Sequence, residues 1–251
     1  MFWRFFRRER MKPHAPSGVR VYAVGDIHGA AELVDQVLRK IDEDRGLHPV
    51  EKTLEIFLGD YIDRGPDSRG AIDRLIARAE ERACIFLLGN HELELLEFIK
   101  KPQRYRKWKS IGGVETLLSY GVEPTILLST ERPDLVRDRL VERMPERHVR
   151  FFSKLNPSVE IGDYFFVHAG VRTGVGLKEQ SMSDLLTIRK GFLESNADFG
   201  KVVVHGHTPV ERPEVHPNRI AIDTGAYVSG RLSCAVLEND QTRFLATGGG
   251  S

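Results

Sequence analysis

Five short clusters of Asp, Asn and His residues stand where strand-like segments end in this sequence of 251 residues. They read GDIHG at 25–29, GDYIDRG at 59–65, GNHE at 89–92, VHAG at 167–170 and HGHTP at 205–209. A single cluster of this kind usually forms only a cap or a turn. In an open α/β sheet, however, the carboxyl ends of neighbouring strands meet at one edge of the sheet, and ligands bind there. Carboxylate, amide and imidazole ligands without thiolate suit Mn, Fe or Zn, and two ions about 3.5–4 Å apart can share a carboxylate and a hydroxide. The clusters therefore predict a two-metal site.

Seven runs rich in β-branched and aromatic residues predict the strands that carry these clusters. They span residues 19–24, 54–58, 84–88, 159–167, 202–204, 219–222 and 234–237. Helical periodicity over residues 30–44 and 66–82 separates the first three runs, which predicts a parallel sheet. The later runs follow one another more closely and indicate a second, mixed sheet. The predicted fold class is α/β, with two packed mixed β-sheets flanked by helices, and residues 92–158 are expected to be mostly helical.

The five clusters together resemble the signature motifs of the calcineurin-like metallophosphoesterases. The DRG and GNHE versions resemble the bacterial phosphoprotein phosphatase (serine/threonine phosphatase) branch, and the motifs cover the chain from Gly25 to Pro209. The resemblance implies six metal ligands: Asp26 and His28 on one ion, Asp60 bridging both, and Asn90, His168 and His207 on the other. Pro209 replaces a further His of many relatives outside this branch, so the first ion is expected to carry more water. The implied cofactors are two divalent ions, with Mn preferred to Fe or Zn.

The same resemblance assigns the groups that would act on the substrate. His91 resembles the family's general acid, and Asp63 would orient its imidazole as carboxylates do for catalytic histidines. Arg64 offers a planar fork for phosphate oxygens. Arg189 matches a second phosphate-binding Arg of bacterial relatives, although Thr187 stands where those relatives often have Trp.

The implied function is hydrolysis of phosphomonoesters by a hydroxide that bridges the two metals. The expected substrates are phosphorylated Ser or Thr side chains, with Tyr possible, or a small phosphoester. One alternative is hydrolysis of dinucleoside polyphosphates, in particular symmetrical cleavage of a tetraphosphate. An inactive metal-binding scaffold is an alternative of another class, but it would not need His91, Asp63 and both arginines.

Composition excludes other kinds of phosphate chemistry. The phosphatase mechanism based on cysteine needs an Arg six positions after the Cys, whereas Asn90 and Asp240 stand six positions after Cys84 and Cys234. No G-x-x-x-x-G-K-[ST] loop for a nucleotide is present. The net charge of +1 gives no support for nucleic acid, and none is expected. Two thiols in apolar runs favour a reducing compartment, so a cytoplasmic location is expected.

The ends of the chain are predicted to differ from its body. Residues 1–18 form a basic, aromatic N-terminal extension, residues 19–245 the metallophosphoesterase domain, and residues 246–251 a flexible tail. The segment MFWRFFRRER at 1–10 could touch a membrane surface weakly through its aromatic side chains.

Other polar residues have simpler interpretations. His205 is expected to point away from His207 across the strand, and His148 to cap or pack a helix. Six basic residues between Lys100 and Lys109 are interpreted as a solvated face, with a substrate-attracting rim as the alternative. Gly112 and Gly113 resemble a substrate-side loop, or they pack a helix start.

Overall fold

The computed structural model describes residues 12–127 and 132–248. The possible membrane-surface segment 1–10 and the last three residues of the predicted tail lie outside this range. None of the helices described could cross a membrane, since none is both long enough and apolar enough.

In the described part of the chain, ten strands form two sheets of five. The strands of the first sheet are β1 (Val19–Val24), β2 (Lys52–Phe57), β3 (Cys84–Phe86), β9 (Ser233–Glu238) and β10 (Gln241–Ala246), in the order β10-β9-β1-β2-β3. Those of the second are β4 (Ser158–Ile161), β5 (Tyr164–Val167), β6 (Val202–His205), β7 (Glu214–Val215) and β8 (Arg219–Ala221), in the order β4-β5-β6-β8-β7. The predicted pair of mixed sheets is confirmed.

Helices connect many of the strands. Their bounds are α1 (Ala31–Leu47), α2 (Ser68–Glu81), α3 (Asn90–Lys100), α4 (Tyr105–Ser110), α5 (Gly113–Ser119), α6 (Pro124–Leu127), α7 (Pro133–Arg143), α8 (Glu146–Ser153), α9 (Met182–Thr187) and α10 (Ala226–Ser229). Of these, α9 lies between β5 and β6 of the second sheet. The periodic apolar faces read from the sequence are buried, with Val34, Val37 and Ile41 on α1 and Ile72 and Leu75 on α2. The described residues between 92 and 158 are mostly helical, as expected.

The two sheets pack against each other through apolar side chains. Val21 and Ile56 of the first sheet share a buried cluster with Phe166, Val204 and Ile220 of the second. Because β1, β2 and β3 are mutually parallel, and β5, β6 and β8 likewise, each group brings its carboxyl ends to one edge of its sheet. Sheet packing therefore brings together the polar clusters that follow these strands.

The single strand predicted over residues 159–167 is wrong. The segment is a hairpin of β4 and β5, which pair antiparallel from Ser158↔Val167 to Ile161↔Tyr164. The two residues between them are Gly162, with φ +57°, and Asp163. A Gly with positive φ in a two-residue connection is typical of a tight hairpin turn. The turn was missed because the β-branched and aromatic residues on both sides of it resemble one continuous strand. The short edge strand β7 and the edge strand β10 were not predicted.

Candidate active site

The predicted metal ligands all follow parallel strands. Asp26 and His28 come after β1, Asp60 after β2, and Asn90 opens α3 after β3. His168 and His207 come after β5 and β6 of the second sheet. All of these side chains except the half-buried Asn90 are buried.

The backbone is strained where these side chains are presented. Among the described residues, six non-glycine residues have positive φ, and five of them are His28, Asp60, Asp63, Arg64 and His207. Left-handed conformations cost free energy in residues with a Cβ and cluster at functional sites. The loops are therefore shaped to aim particular side chains at the cost of some stability.

The carboxylate of Asp60 lies at the centre of the imidazole rings. Its Oδ2 is 3.4 Å from His168 Nε2, 3.6 Å from His28 Nε2 and 3.8 Å from His91 Nε2. Two groups have their ligand atoms within 4.8 Å of one another: His28, Asp60 and His91, and Asp60, His168 and His207. Asp60 belongs to both groups, which is the arrangement that a bridging ligand needs.

The electron pairs in these groups converge in the way a cation requires. His168 Nδ1 donates to Leu58 O at 2.9 Å, so its Nε2 carries a lone pair. That lone pair faces two other acceptors, Asn90 Oδ1 at 3.0 Å and Asp60 Oδ2. His28 has the same polarity, since its Nδ1 donates to Ile62 O at 3.0 Å. Acceptors that face acceptors without a shared proton fit a positive ion between them.

The pKa values of two rings agree with neutral, metal-ready histidines. Burial lowers the pKa values of both His28 and His207 to about 3. Nε2 of His207 is also buried without a hydrogen-bond partner. Although burial opposes the shift, the charge of Asp60 raises the pKa of the third ring, His168, and a cation beside Asp60 would offset that effect. Metals bind the neutral imidazole, so the residues present fit a pair of divalent cations.

Asp26 lies beside these groups but outside both. Its two carboxylate oxygens accept the backbone N–H of His207 at 3.2 and 3.0 Å. The pKa of Asp26 is raised well above its usual range by burial and then by the charges of Asp223 and Asp60. Such crowding of buried carboxylates is another sign that positive charge belongs in this pocket.

Two buried acids of the site were missed from the sequence. Asp223 follows β8, so a sixth parallel strand also delivers a carboxylate to the site, and the polar residue after the run 219–222 was the available signal. Glu92 lies in the GNHE motif and accepts the backbone N–H groups of Asp60 and Tyr61 at 2.8 Å and of Gly89 at 3.1 Å. Glu92 thereby ties the loop after β2 to the start of α3.

His91 and Asp63 form the predicted pair. His91 Nδ1 donates to Asp63 Oδ2 at 2.7 Å, and both side chains are buried. Nε2 of His91 accepts a hydrogen bond from Arg64 Nη2 at 3.1 Å, so the guanidinium sits beside the imidazole nitrogen that faces the metal groups. The ring of Tyr227 lies 5.2 Å from the Arg64 guanidinium carbon and was not singled out from the sequence.

Arg189 lies beside the loop that carries His207. Its Nη2 donates to His207 O at 3.2 Å and its Nε to Thr208 Oγ1 at 3.3 Å, and the side chain is exposed. Thr187 is exposed and donates back to Ser183 O, so it forms no wall between Arg189 and solvent. Arg64 thus contacts His91 of the first group, and Arg189 contacts the backbone of His207 in the second.

Two other buried histidines have structural roles. His205 packs its ring against Phe192 at 5.0 Å on the outer face of β6, away from the metal groups. His148 is buried between Tyr120 Oη and Asp73 Oδ1, each at 2.7 Å. Neither belongs to the site.

Part of the basic run after α3 is used in ion pairs. Arg104 and Lys107 both bind the carboxylate of Glu94, at 2.7 and 2.5 Å. Lys109 donates to Leu127 O at 3.4 Å. These contacts favour the interpretation as a helix surface rather than as a rim for substrate. Of the two glycines that follow, Gly113 begins α5, which is the helix-start interpretation, and Gly112 O accepts the backbone N–H of Arg64 at 3.1 Å.

Cysteine has no place in the chemistry of this site. Cys84 and Cys234 are free thiols in β3 and β9. Burial raises the pKa of Cys84 to about 12, and that of Cys234 well above its usual range. Both thiols are therefore protonated and inert.

Gly206 offers a test of whether Asp26 supports metal binding. A Cβ at Gly206 would lie 2.0 Å from Asp26 Oδ1, so Gly206→Ala must displace this carboxylate. Groups that orient metal ligands typically change metal affinity 10–100-fold when altered, so we expect a loss of about tenfold or more. Metal content by mass spectrometry and the Mn concentration for half-maximal activity measure it. Gly46→Ala is the matched control because its Cβ meets nothing within 4 Å, and an unchanged affinity in Gly206→Ala would remove Asp26 from the metal environment.

Known proteins resemble this chain in sequence and in fold. The family model described as calcineurin-like phosphoesterase matches residues 19–235. A bis(5'-nucleosyl)-tetraphosphatase PrpE [asymmetrical] of Anoxybacillus flavithermus is 25% identical over 228 residues, which cover 84% of this chain and 87% of the relative.

Two solved structures share the fold. The crystal structure of a protein provisionally assigned as a diadenosine tetraphosphatase has a TM-score of 0.63 at 22% identity, covering 94% of this chain and 97% of that one. A protein serine/threonine phosphatase of Saccharomyces cerevisiae has a TM-score of 0.54 at 13% identity, covering 94% and 82%. With the family model matched across most of its length, the chain belongs to the calcineurin-like phosphoesterases, a family of hydrolases that use divalent metal ions.

Proposed function

We propose that this protein hydrolyses phosphomonoesters with alcohol leaving groups, in particular phosphorylated Ser or Thr side chains of proteins. The observation that carries the proposal is the buried pair in which His91 Nδ1 donates to Asp63 Oδ2 at 2.7 Å. An alkoxide is a poor leaving group and must be protonated as it departs, whereas a nucleotide phosphate leaves readily without an acid. A buried imidazole with a dedicated carboxylate is the device that an alcohol leaving group needs.

In this proposal six residues would hold two divalent ions, and their oxygen and imidazole donors favour Mn. The six are Asp26, His28, Asp60, Asn90, His168 and His207. When bound, the ions supply positive charge to the phosphate oxygens and lower the pKa of the attacking water. The protein's own groups do the rest. Arg64 and Arg189 grip the phosphate oxygens and absorb the charge that grows on them.

Arg64 also couples substrate binding to proton transfer. Its Nη2 donates to His91 Nε2 at 3.1 Å, and a phosphate oxygen is a stronger acceptor than an imidazole nitrogen. Substrate therefore draws the guanidinium away from Nε2. This nitrogen accepts rather than donates a hydrogen bond in this structure, so it takes up a proton from solvent before it passes that proton to the leaving oxygen. The charge of Asp63 stabilises the imidazolium that donates the proton.

A second candidate is hydrolysis of bis(5'-nucleosyl) tetraphosphates. It is supported by the curated relatives, which match most of this chain and are named asymmetrical tetraphosphatases. If it holds, we expect asymmetrical cleavage to a nucleoside triphosphate and a monophosphate, rather than the symmetrical cleavage considered from the sequence.

One assay separates the candidates. The Mn-loaded protein is given a phosphoserine peptide, a phosphotyrosine peptide and diadenosine tetraphosphate, and kcat/KM is measured for each with the nucleotide products identified. We expect the highest value on the phosphoserine peptide. A higher value on the tetraphosphate would replace the first proposal by the second, and turnover of none of them would support a scaffold without activity.

A further inference from the structure

The carboxylate of Asp63 is held by more than His91. Its Oδ2 accepts the indole N–H of Trp108 at 2.9 Å as well as the imidazole N–H, and its Oδ1 accepts the hydroxyl of Thr116 at 2.6 Å. Asp63, Trp108 and Thr116 are each 0% exposed. Because three donors bind this solvent-excluded carboxylate, they hold it in a single orientation.

The direction of the Thr116 hydrogen bond is fixed by its neighbours. Thr116 Oγ1 accepts the backbone N–H of Asp63 at 2.9 Å and lies 2.9 Å from Ser68 Oγ. An ionised carboxylate only accepts, so the single hydroxyl hydrogen of Thr116 points to Asp63 Oδ1 and Ser68 donates to Thr116. The hydroxyl thus binds both the main chain and the side chain of a residue whose φ is +71°.

Packing locks the indole of Trp108 in the same way. Its ring stacks on Phe98 with centroids 5.0 Å apart, and a Cβ at Gly113 would lie 2.6 Å from the ring. The chain between Trp108 and Thr116 also binds the neighbouring arginine, since Gly112 O accepts the Arg64 N–H at 3.1 Å. One segment therefore clamps two adjacent residues of the site.

We propose that Trp108 and Thr116 are positioning residues that hold Asp63, and through it His91, in the orientation for protonating the leaving group. The inference rests on the proposed role of His91 as the acid. Neither residue contacts the metal groups or the substrate arginines through its side chain in the contacts described. Their effect is therefore transmitted through the Asp63 carboxylate.

Isosteric variants remove each donor with little change of shape. Thr116→Val replaces the hydroxyl by a methyl group, and site-specific incorporation of 3-benzothienylalanine at Trp108 replaces the N–H by sulfur. Trp108→Phe is a second, genetically simple variant, and Thr116→Ser should restore the wild-type rate. Loss of a hydrogen bond to a charged group predicts a fall in kcat on an alkyl phosphate of about tenfold for each variant. An activated aryl phosphate, which needs little protonation, should lose less than about twofold.

A double-mutant cycle with His91→Ala separates positioning from folding. If the donors act through His91, the Trp108 and Thr116 variants should change kcat on either substrate by less than about twofold in the His91→Ala background. A purely structural role would instead lower both substrates equally and persist without His91, and that result would overturn the inference.

The cycle also tells this inference from the proposed function. If His91→Ala is selective for the alkyl phosphate but the Trp108 and Thr116 variants are not, only the positioning role fails. If His91→Ala itself lowers both substrates equally, the acid role fails first.

Discussion

Replacing Asp60 by Asn is expected to lower kcat/KM by about a thousandfold or more, which corresponds to about 4 kcal/mol at 1.36 kcal/mol per tenfold. The reason lies in the position of Oδ2, within 3.4–3.8 Å of His168, His28 and His91. An amide has nearly the same shape but puts either a neutral oxygen or an N–H donor at that point. An N–H there would hydrogen-bond to the imidazole lone pairs that a cation needs, so both ions should bind more weakly.

The measurement compares metal content with activity. Wild-type protein stripped by a chelator should lose hydrolysis and regain it with Mn, whereas the Asp60→Asn variant should bind fewer ions and regain little. Asp134→Asn, at the exposed start of α7, is the matched control for the chemical change. Full activity of the stripped protein would contradict the metal-dependent mechanism, and normal metal content in the Asp60→Asn variant would contradict the bridging role.

The candidate metal ligands could be predicted because each is marked by a motif in its own stretch of sequence. Each ligand stands a few residues after an apolar run, and the rule that parallel strands end at one edge converts sequence order into proximity. Hence Asp60, His168 and His207, which lie far apart in the chain, meet as expected. The sheets followed from the same runs, except where Gly162 and Asp163 form a two-residue turn inside one continuous apolar pattern.

The supporting half could not be predicted because its contacts cross the chain without a pattern. Trp108 and Thr116 lie 45 and 53 residues from the carboxylate that they bind, on two short helices whose placement depends on packing. A buried Trp and a Thr are ordinary core residues in sequence. Asp223 could have been predicted, because it follows a strand that the sequence indicated. Its motif, IDTG, is weaker than the other five and was not singled out.

His91→Ala is expected to lower kcat on an alkyl phosphate by about a hundredfold to a thousandfold, within the range for loss of general acid catalysis. Its imidazole could serve in either of two ways, since Nε2 lies 3.8 Å from Asp60 Oδ2 and belongs to a group that could bind metal. The bond from Nδ1 to Asp63 favours the acid, because a carboxylate partner stabilises the imidazolium that proton donation requires.

Metal content and leaving group together decide between these roles. If His91 is the general acid, the His91→Ala variant keeps its metal content. Its loss of activity is then much smaller on an activated aryl phosphate, whose oxygen departs without a proton. If His91 is a metal ligand, the variant has a lower metal content, and its activity on both substrates falls equally. His216→Ala controls for removal of an imidazole, since His216 is partly exposed and pairs only with Glu214 among the ion pairs of the described residues. We expect the pattern of an acid, because Arg64 already occupies the Nε2 side of the ring at 3.1 Å and would compete there with a cation rather than support one.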